Sequence, residues 1–300
     1  MYSESQYVSH NRQQISLTIH KDYYYDGVFN WLNEESQIFS PEGVRKWYKN
    51  HRNKLAEIQW PNLLPEQQQP VFLVIKSYGK KSLGDRIRTY FRPPRASRHW
   101  KNAVALLEKG INTPTPIFIC EQSSPNRNDL LGVLPAAPHR LLRDVWKPIN
   151  DGRSEYTEHG GRKFKQTEWA EICGRYVRAL HDCGIVHRDL SGGNILIPDD
   201  WDGQSVDLEK KFILLDINRV RQVTPKSMSI NLRIQDLERI NMPDSCLPDY
   251  FRGYASGDAN IAREESRFLK YRKSYRRIRA ARNPAWKLVL KITTYWIRTG

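Results

Sequence analysis

The segment 187–197 leaves this chain few folds to choose from. His187-Arg188-Asp189 is followed five residues later by Asn194, and the loop runs directly into the apolar stretch Ile195-Leu196-Ile197. A carboxylate and a carboxamide at this spacing form the pattern of a loop that serves phosphoryl transfer. The Asp can accept the proton of an attacking hydroxyl, while the Asn can reach a magnesium ion held by nucleotide phosphates. The apolar stretch predicts a short buried strand that fixes the Asn. A second strand is predicted over Phe212-Ile213-Leu214-Leu215 and ends in Asp216, where a further magnesium ligand belongs. Singly, Asp189 and Asp216 could be ordinary loop and strand-end carboxylates. Their order favours the chemical reading.

Upstream, Gln69-Pro70-Val71-Phe72-Leu73-Val74-Ile75-Lys76 is a strand-like apolar run with one lysine at its end. It fits the type of strand whose Lys contacts the α- and β-phosphates of a nucleotide. A compact charge on a long stem suits that task, since a phosphate needs no planar fork. Strands often end in a solvated Lys, so the signal rests on the order Lys76, Asp189, Asn194, Asp216.

Three hundred residues, 39% hydrophobic, can form two lobes with a sizeable core, and they exclude a disordered chain. The four cysteines are far apart and show no C-x-x-C pair, which predicts no structural zinc and fits a reducing compartment. The polar amino terminus carries no signal-peptide pattern, and no apolar run approaches the ~20 residues that span a bilayer. The expected location is cytoplasmic, or peripheral on the inner face of the cytoplasmic membrane. The formal charge of +15 is concentrated: residues 51–100 carry 10 basic and 3 acidic groups, and residues 251–300 carry 13 and 3. Two basic patches argue for localised contact with an anionic partner.

Along the chain, residues 1–20 read as poorly structured and the stretch Pro41–Leu55 as helical. A basic segment (Lys80, Lys81, Arg86, Arg88, Arg92, Arg95, Arg98) leads into a predicted helix from Ala96 to Lys109, stopped by Gly110. Residues 114–120 and 130–134 predict paired strands, and Pro135–Pro138 a hinge. Residues 151–166 read as a surface loop, and Thr167 as the cap of a helix that leads to Gly184. Residues 198–211 read as a polar insertion, and the chain beyond Asp216 as mostly helical. Strands followed by helices predict an α+β, bilobal protein-kinase-like fold. The boundaries fall at 1–134 for a mainly β nucleotide-binding lobe and 135–300 for a mainly helical catalytic lobe, with a basic amphipathic tail over 263–300.

With these residues in view, the chain resembles the lipopolysaccharide core kinases, the Kdo/WaaP group of the protein-kinase-like superfamily. The matching segments are Val74-Ile75-Lys76-Ser77-Tyr78, Arg95-Ala96-Ser97-Arg98-His99-Trp100, Gly110-Ile111-Asn112-Thr113-Pro114, the loop from His187 to Leu196, Leu215–Arg219, and Arg233–Arg239. The resemblance implies ATP-dependent phosphorylation, with Mg2+, of an inner-core sugar (Kdo or heptose) at the cytoplasmic face. The partner it implies is an anionic lipid-linked saccharide, the lipid A core. Carried over residue by residue, Asp189 is the base, Lys76 holds the phosphates, and Asn194 and Asp216 are the magnesium ligands. One departure stands out. Such kinases pair the strand lysine with a Glu on the following helix, and that register holds His99. Glu108 lies nine residues on, about half a turn out of phase.

The tail holds eight cations from Arg267 to Arg282, with Phe268, Tyr271, Tyr275 and Ile278 at helical spacing. This pattern suits an anionic membrane surface. It equally suits an apolar stripe packed on the carboxy-terminal lobe, with the charges forming a solvated face. No base-reading module accompanies the charge, so no nucleic-acid partner is expected. The competing readings are a Ser/Thr/Tyr protein kinase, disfavoured by the missing A-P-E element, a nucleotide-binding pseudokinase without transfer, and an aminoglycoside-type phosphotransferase, which the basic surface disfavours.

Overall fold

Seven segments of the amino-terminal half pair into one antiparallel sheet. The computed structural model describes residues 6–12, 14–51, 53–61, 70–79, 93–123, 128–136, 138–152, 156–159, 161–200, 211–240 and 242–280. The chain divides into two units, residues 1–137 with 216–218, and residues 138–215 with 219–300. The first is built on the sheet and the second is mainly helical, the α+β class that the order of segments predicts.

In the first unit the strands are β1 (Tyr7–Arg12), β2 (Ile15–His20), β3 (Val44–Asn50), β4 (Lys54–Gln59), β5 (Phe72–Tyr78), β6 (Pro116–Gln122) and β7 (Asp129–Val133), in the order β1-β2-β6-β7-β5-β4-β3. Alternation decides the faces. Leu73 and Ile75 of β5 point to one side, where they pack with Ala56, Ile58, Phe118 and Trp60. Helices α1 (Val28–Asn33) and α2 (Glu35–Ile38) cover that side through Val28, Leu32 and Ile38. On the other side α3 (Arg95–Glu108) lays Ala96 against Tyr78, Ile119 and Leu131.

Two expectations fail here. Residues 7–12 and 15–20 are not poorly structured: they form the antiparallel pair β1 and β2, because Leu17 and Ile19 alternate into the core and β2 pairs with β6, while residues 1–5 and 13 of that stretch lie outside the described residues. Residues 41–55 are not helical: they hold β3 and the start of β4, where Ala56 and Ile58 alternate inward and Trp47 and Tyr48 suit an edge strand. Of the basic segment only Arg95 and Arg98 are described, both on α3. Lys80, Lys81, Arg86, Arg88 and Arg92 lie outside the described residues.

The second unit contains β8 (His139–Leu141), α4 (Leu142–Asn150), β9 (Tyr156–His159), β10 (Arg162–Lys165), α5 (Gln166–Asp182), β11 (Ile185–Val186), β12 (Ile195–Pro198), β13 (Ile213–Leu214), β14 (Arg221–Gln222), α6 (Ile230–Leu237), α7 (Leu247–Ala255), α8 (Ala259–Ala262) and α9 (Glu265–Ala280). The expected loop at 151–166 contains the β9–β10 hairpin, held by the inward Phe164 packed on Trp169. Thr167 lies inside α5: the cap position is Lys165, with no side-chain capping bond. Most of the expected insertion, residues 201–210, lies outside the described residues.

Helices α5 and α7 touch backbone to backbone through two glycines. A Cβ on Gly174 would collide with the Tyr250 carbonyl, and one on Gly253 with the Glu171 carbonyl. The amino-terminal part of the basic tail is core. Phe268 and Tyr271 of α9 are buried, and Phe268 stacks on Phe251 at 5.1 Å between centroids. Buried Arg272 donates to the Glu238 carbonyl, and Arg276 bonds to Asp244 and to the Met242 carbonyl. Lys270, Lys273 and Arg277 are exposed. Arg282 and the side chains of Tyr275, Ile278 and Arg279 lie outside the described residues.

Candidate active site

In the first unit, β5 carries Lys76 on the face opposite Leu73 and Ile75. Lys76 Nζ lies 3.0 Å from Asp216 Oδ1, a contact between residues 140 apart in sequence. Asp216 occupies the left-handed region, with φ +50°, an uncommon conformation for a residue with a side chain and one that tends to mark functional positions. Asn218 Nδ2 donates to Asp216 Oδ1 at 3.1 Å, and Asn102 Nδ2 of α3 donates to the Ile217 carbonyl at 2.7 Å. The segment that bears the carboxylate is therefore tied down on both sides.

His99, the residue that the sequence register sets in place of the helix Glu, lies on α3. His99 Nδ1 is 2.9 Å from the Tyr78 hydroxyl, and both residues are buried. Burial, helped by the Lys76 charge and opposed by Asp216, lowers the His99 pKa to about 3, so the ring is neutral near pH 7. Glu108 is exposed at the end of α3.

Edge strand β3 contributes to the same face. Its register shifts at two bulges, between Val44 and Lys46 and between Trp47 and Lys49. Bulges re-aim side chains. Arg45 Nη1 and the Tyr48 hydroxyl both reach Glu57, at 3.2 and 3.3 Å. Lys49 is level with Leu55, and Leu55 with Lys76. Cross-strand partners share a face, so the two lysines stand on one side of the sheet, two strands or about 10 Å apart.

In the second unit, the 187–194 loop is fastened at each residue that matters. Asp236 of α6 accepts from His187 N at 2.6 Å and Arg188 N at 2.7 Å, and from His181 Nε2 at 3.4 Å. Burial alone pushes the Asp236 carboxyl up. The bond from His181, the His181 and His187 rings and the His187 N–H outweigh it and hold it below the usual carboxylate value. His187 Nε2 donates to the Leu215 carbonyl at 2.8 Å, which leaves Nδ1 to accept from Asp189 N at 3.3 Å. Arg188 takes φ +66°, turning the chain so that Asp189 follows a strained peptide. Asp189 Oδ2 lies 3.5 Å from Arg219 Nη1. Asn194 Nδ2 donates to the Asp189 carbonyl at 2.8 Å, and the Asn194 carbonyl accepts from Leu215 N at 2.8 Å. Asp216 is the next residue in the chain.

In the first unit Asp216 carries a carboxylate, and in the second the Asn194 Nδ2 is used on Asp189, with no described partner on its Oδ1; both oxygens are of the donor type a hard cation takes. Sequence reasoning named Lys76, Asp189, Asn194 and Asp216, but gave no role to Asp236, Tyr78 or Arg219. Asp236 lay inside a segment noted only for resemblance. Its two shortest bonds are to backbone N–H groups, which leave no trace in a sequence.

Phosphoryl transfer asks little covalent chemistry of a protein and a great deal of positioning. Positioning of this kind is what these bonds supply. The family follows from the sequence itself: the model of the lipopolysaccharide kinase (Kdo/WaaP) family matches residues 73–249, more than half of the chain, and the chain belongs to that family. Among solved structures it is similar to WaaP in complex with acyl carrier protein, at 15% identity and a TM-score of 0.46, over 82% of this chain and 97% of that one. No curated protein matches it.

Proposed function

We propose that this chain transfers the γ-phosphoryl group of MgATP to a hydroxyl of an inner-core sugar, Kdo or heptose, of lipopolysaccharide at the cytoplasmic face of the membrane. The observation that carries the reading is the fixing of Asp189 by the bonds of its loop to Asp236, His187 and Asn194. A carboxylate held in this way can meet an incoming hydroxyl and accept its proton as the new bond forms. Lys76 binds the α- and β-phosphates, and Lys49 on the same face adds positive charge there. Asn194 and Asp216 hold magnesium, which when bound neutralises charge on the phosphates. Arg219, beside Asp189, orients the carboxylate or receives the acceptor's own anionic groups.

The sugar acceptor is supported by membership of the family. Because that acceptor is lipid-linked, the exposed Lys270, Lys273 and Arg277 of α9 support a peripheral position on an anionic bilayer. No described helix is long and apolar enough to cross a membrane. The test is mass spectrometry of a Kdo-bearing lipid A precursor incubated with the protein and MgATP. A gain of one phosphate is expected. An unmodified precursor, with MgATP bound to the protein, would exclude this acceptor.

A further inference from the structure

Among the described residues no helix carboxylate pairs with Lys76. In kinases of this type the strand lysine pairs with a Glu on the following helix. Here the carboxylate that reaches it is Asp216, the residue proposed to ligate magnesium. Once Asp216 turns to a metal, its charge is shared, and Lys76 needs another partner to stay in place.

The geometry offers one. Tyr78 stands two residues beyond Lys76 on the same face of β5, and Lys76 Nζ lies 5.1 Å from the centroid of its ring. An aromatic face attracts an ammonium through its quadrupole, most strongly where water is scarce. Tyr78 is 7% exposed. Its hydroxyl is tied to His99 Nδ1 on α3, and three residues further along the same helix Asn102 holds the Ile217 carbonyl. One helix therefore anchors both the ring beneath the lysine and the segment that carries Asp216.

We propose that Tyr78 is the positioning residue for Lys76: its ring holds the ammonium, and His99 pins the ring to α3 in place of a helix carboxylate. A neutral pair has a chemical merit here. It positions the lysine without adding negative charge beside the nucleotide phosphates, so the ammonium's charge remains directed at them. This rests on the reading of Lys76 as the phosphate-binding residue.

The test is a double-mutant cycle on nucleotide affinity, measured by calorimetry with MgATP and with adenosine as probes. Tyr78→Leu is expected to weaken MgATP about tenfold and leave adenosine unchanged. In a Lys76→Met background the same substitution is expected to cost nothing more, because the group through which it acts is gone. Equal penalties in both backgrounds, or a parallel loss of adenosine affinity, would overturn the proposal by showing a general structural role. Tyr78→Phe keeps the ring in the core and tests the anchor alone. A loss of about threefold is expected, and native affinity would overturn the role of His99. If Lys76→Met binds MgATP as the native protein does, the reading of Lys76 itself fails, a result separate from any outcome at Tyr78.

Discussion

His99 and Asp236 are buried titratable groups that hold their charge states for opposite reasons. His99 keeps its neutral form down to about pH 3, against roughly 6.5 for an imidazole in an unfolded chain. Between those values the unfolded chain binds a proton that the folded one refuses, so stability rises with pH. Its contribution is complete above pH 6.5 or so and is lost as the pH falls. His99→Gln is expected to flatten the fall in melting temperature between about pH 6.5 and pH 4. An unchanged slope would show that His99 titrates normally. Asp236 has a lowered pKa, so its contribution is present above about pH 4 and lost as the pH drops through the folded value. Asp236→Asn turns an amide donor toward the His187 or Arg188 N–H. A loss of about 3 kcal/mol in urea unfolding is expected, and a loss below about 1 kcal/mol would contradict the role assigned to it. The four proposed site residues were legible because each is a polar residue in a fixed place beside an apolar strand. Asp236 was not, since a carboxylate that serves backbone amides looks like any helical Asp.

The elements were legible where burial imposes one clear period. The β6–β7 pair and helices α3 and α5 match their sequence patterns to within a few residues. The β1–β2 hairpin was missed because polar Ser, His and Asn fill its solvent side and only Leu17 and Ile19 are deeply buried. Strand β3 was misread because its two bulges break the alternation that marks a strand. The α5–α7 contact had no sequence signal beyond two unremarkable glycines. Gly253→Ala should destabilise the second unit by about 3 kcal/mol, since its Cβ would meet the Glu171 backbone, which cannot yield as a side-chain tip can. Gly257→Ala is the comparison: its φ is +81° with nothing near, so backbone strain alone should cost about 1 kcal/mol. Equal losses in chemical denaturation would mean that the helices do not approach through Gly253.

At the scale of the molecule, the described positive charge of α9 divides in two. Arg272 and Arg276 hold the second unit together, while Lys270, Lys273 and Arg277 face solvent. The apolar stripe that also suggested a membrane surface is spent at Phe268 and Tyr271 on the core. The proposed membrane attachment, if made through α9, is then electrostatic. Each exposed cation contributes about 1 kcal/mol near an anionic bilayer, so changing all three to Gln should weaken binding to phosphatidylglycerol vesicles by up to roughly a hundredfold. Retention of native binding by the triple variant would exclude this helix as the contact.

The measurement that bears most directly on the proposed reaction is the turnover of Asp189→Asn on a Kdo-bearing lipid A precursor, with MgATP affinity measured on the same protein. The asparagine keeps the size of the side chain and removes its capacity to take a proton. Turnover is expected to fall about 10²- to 10⁴-fold while MgATP affinity stays close to native. A variant that phosphorylates the precursor at the native rate would contradict the assignment of Asp189 as the base.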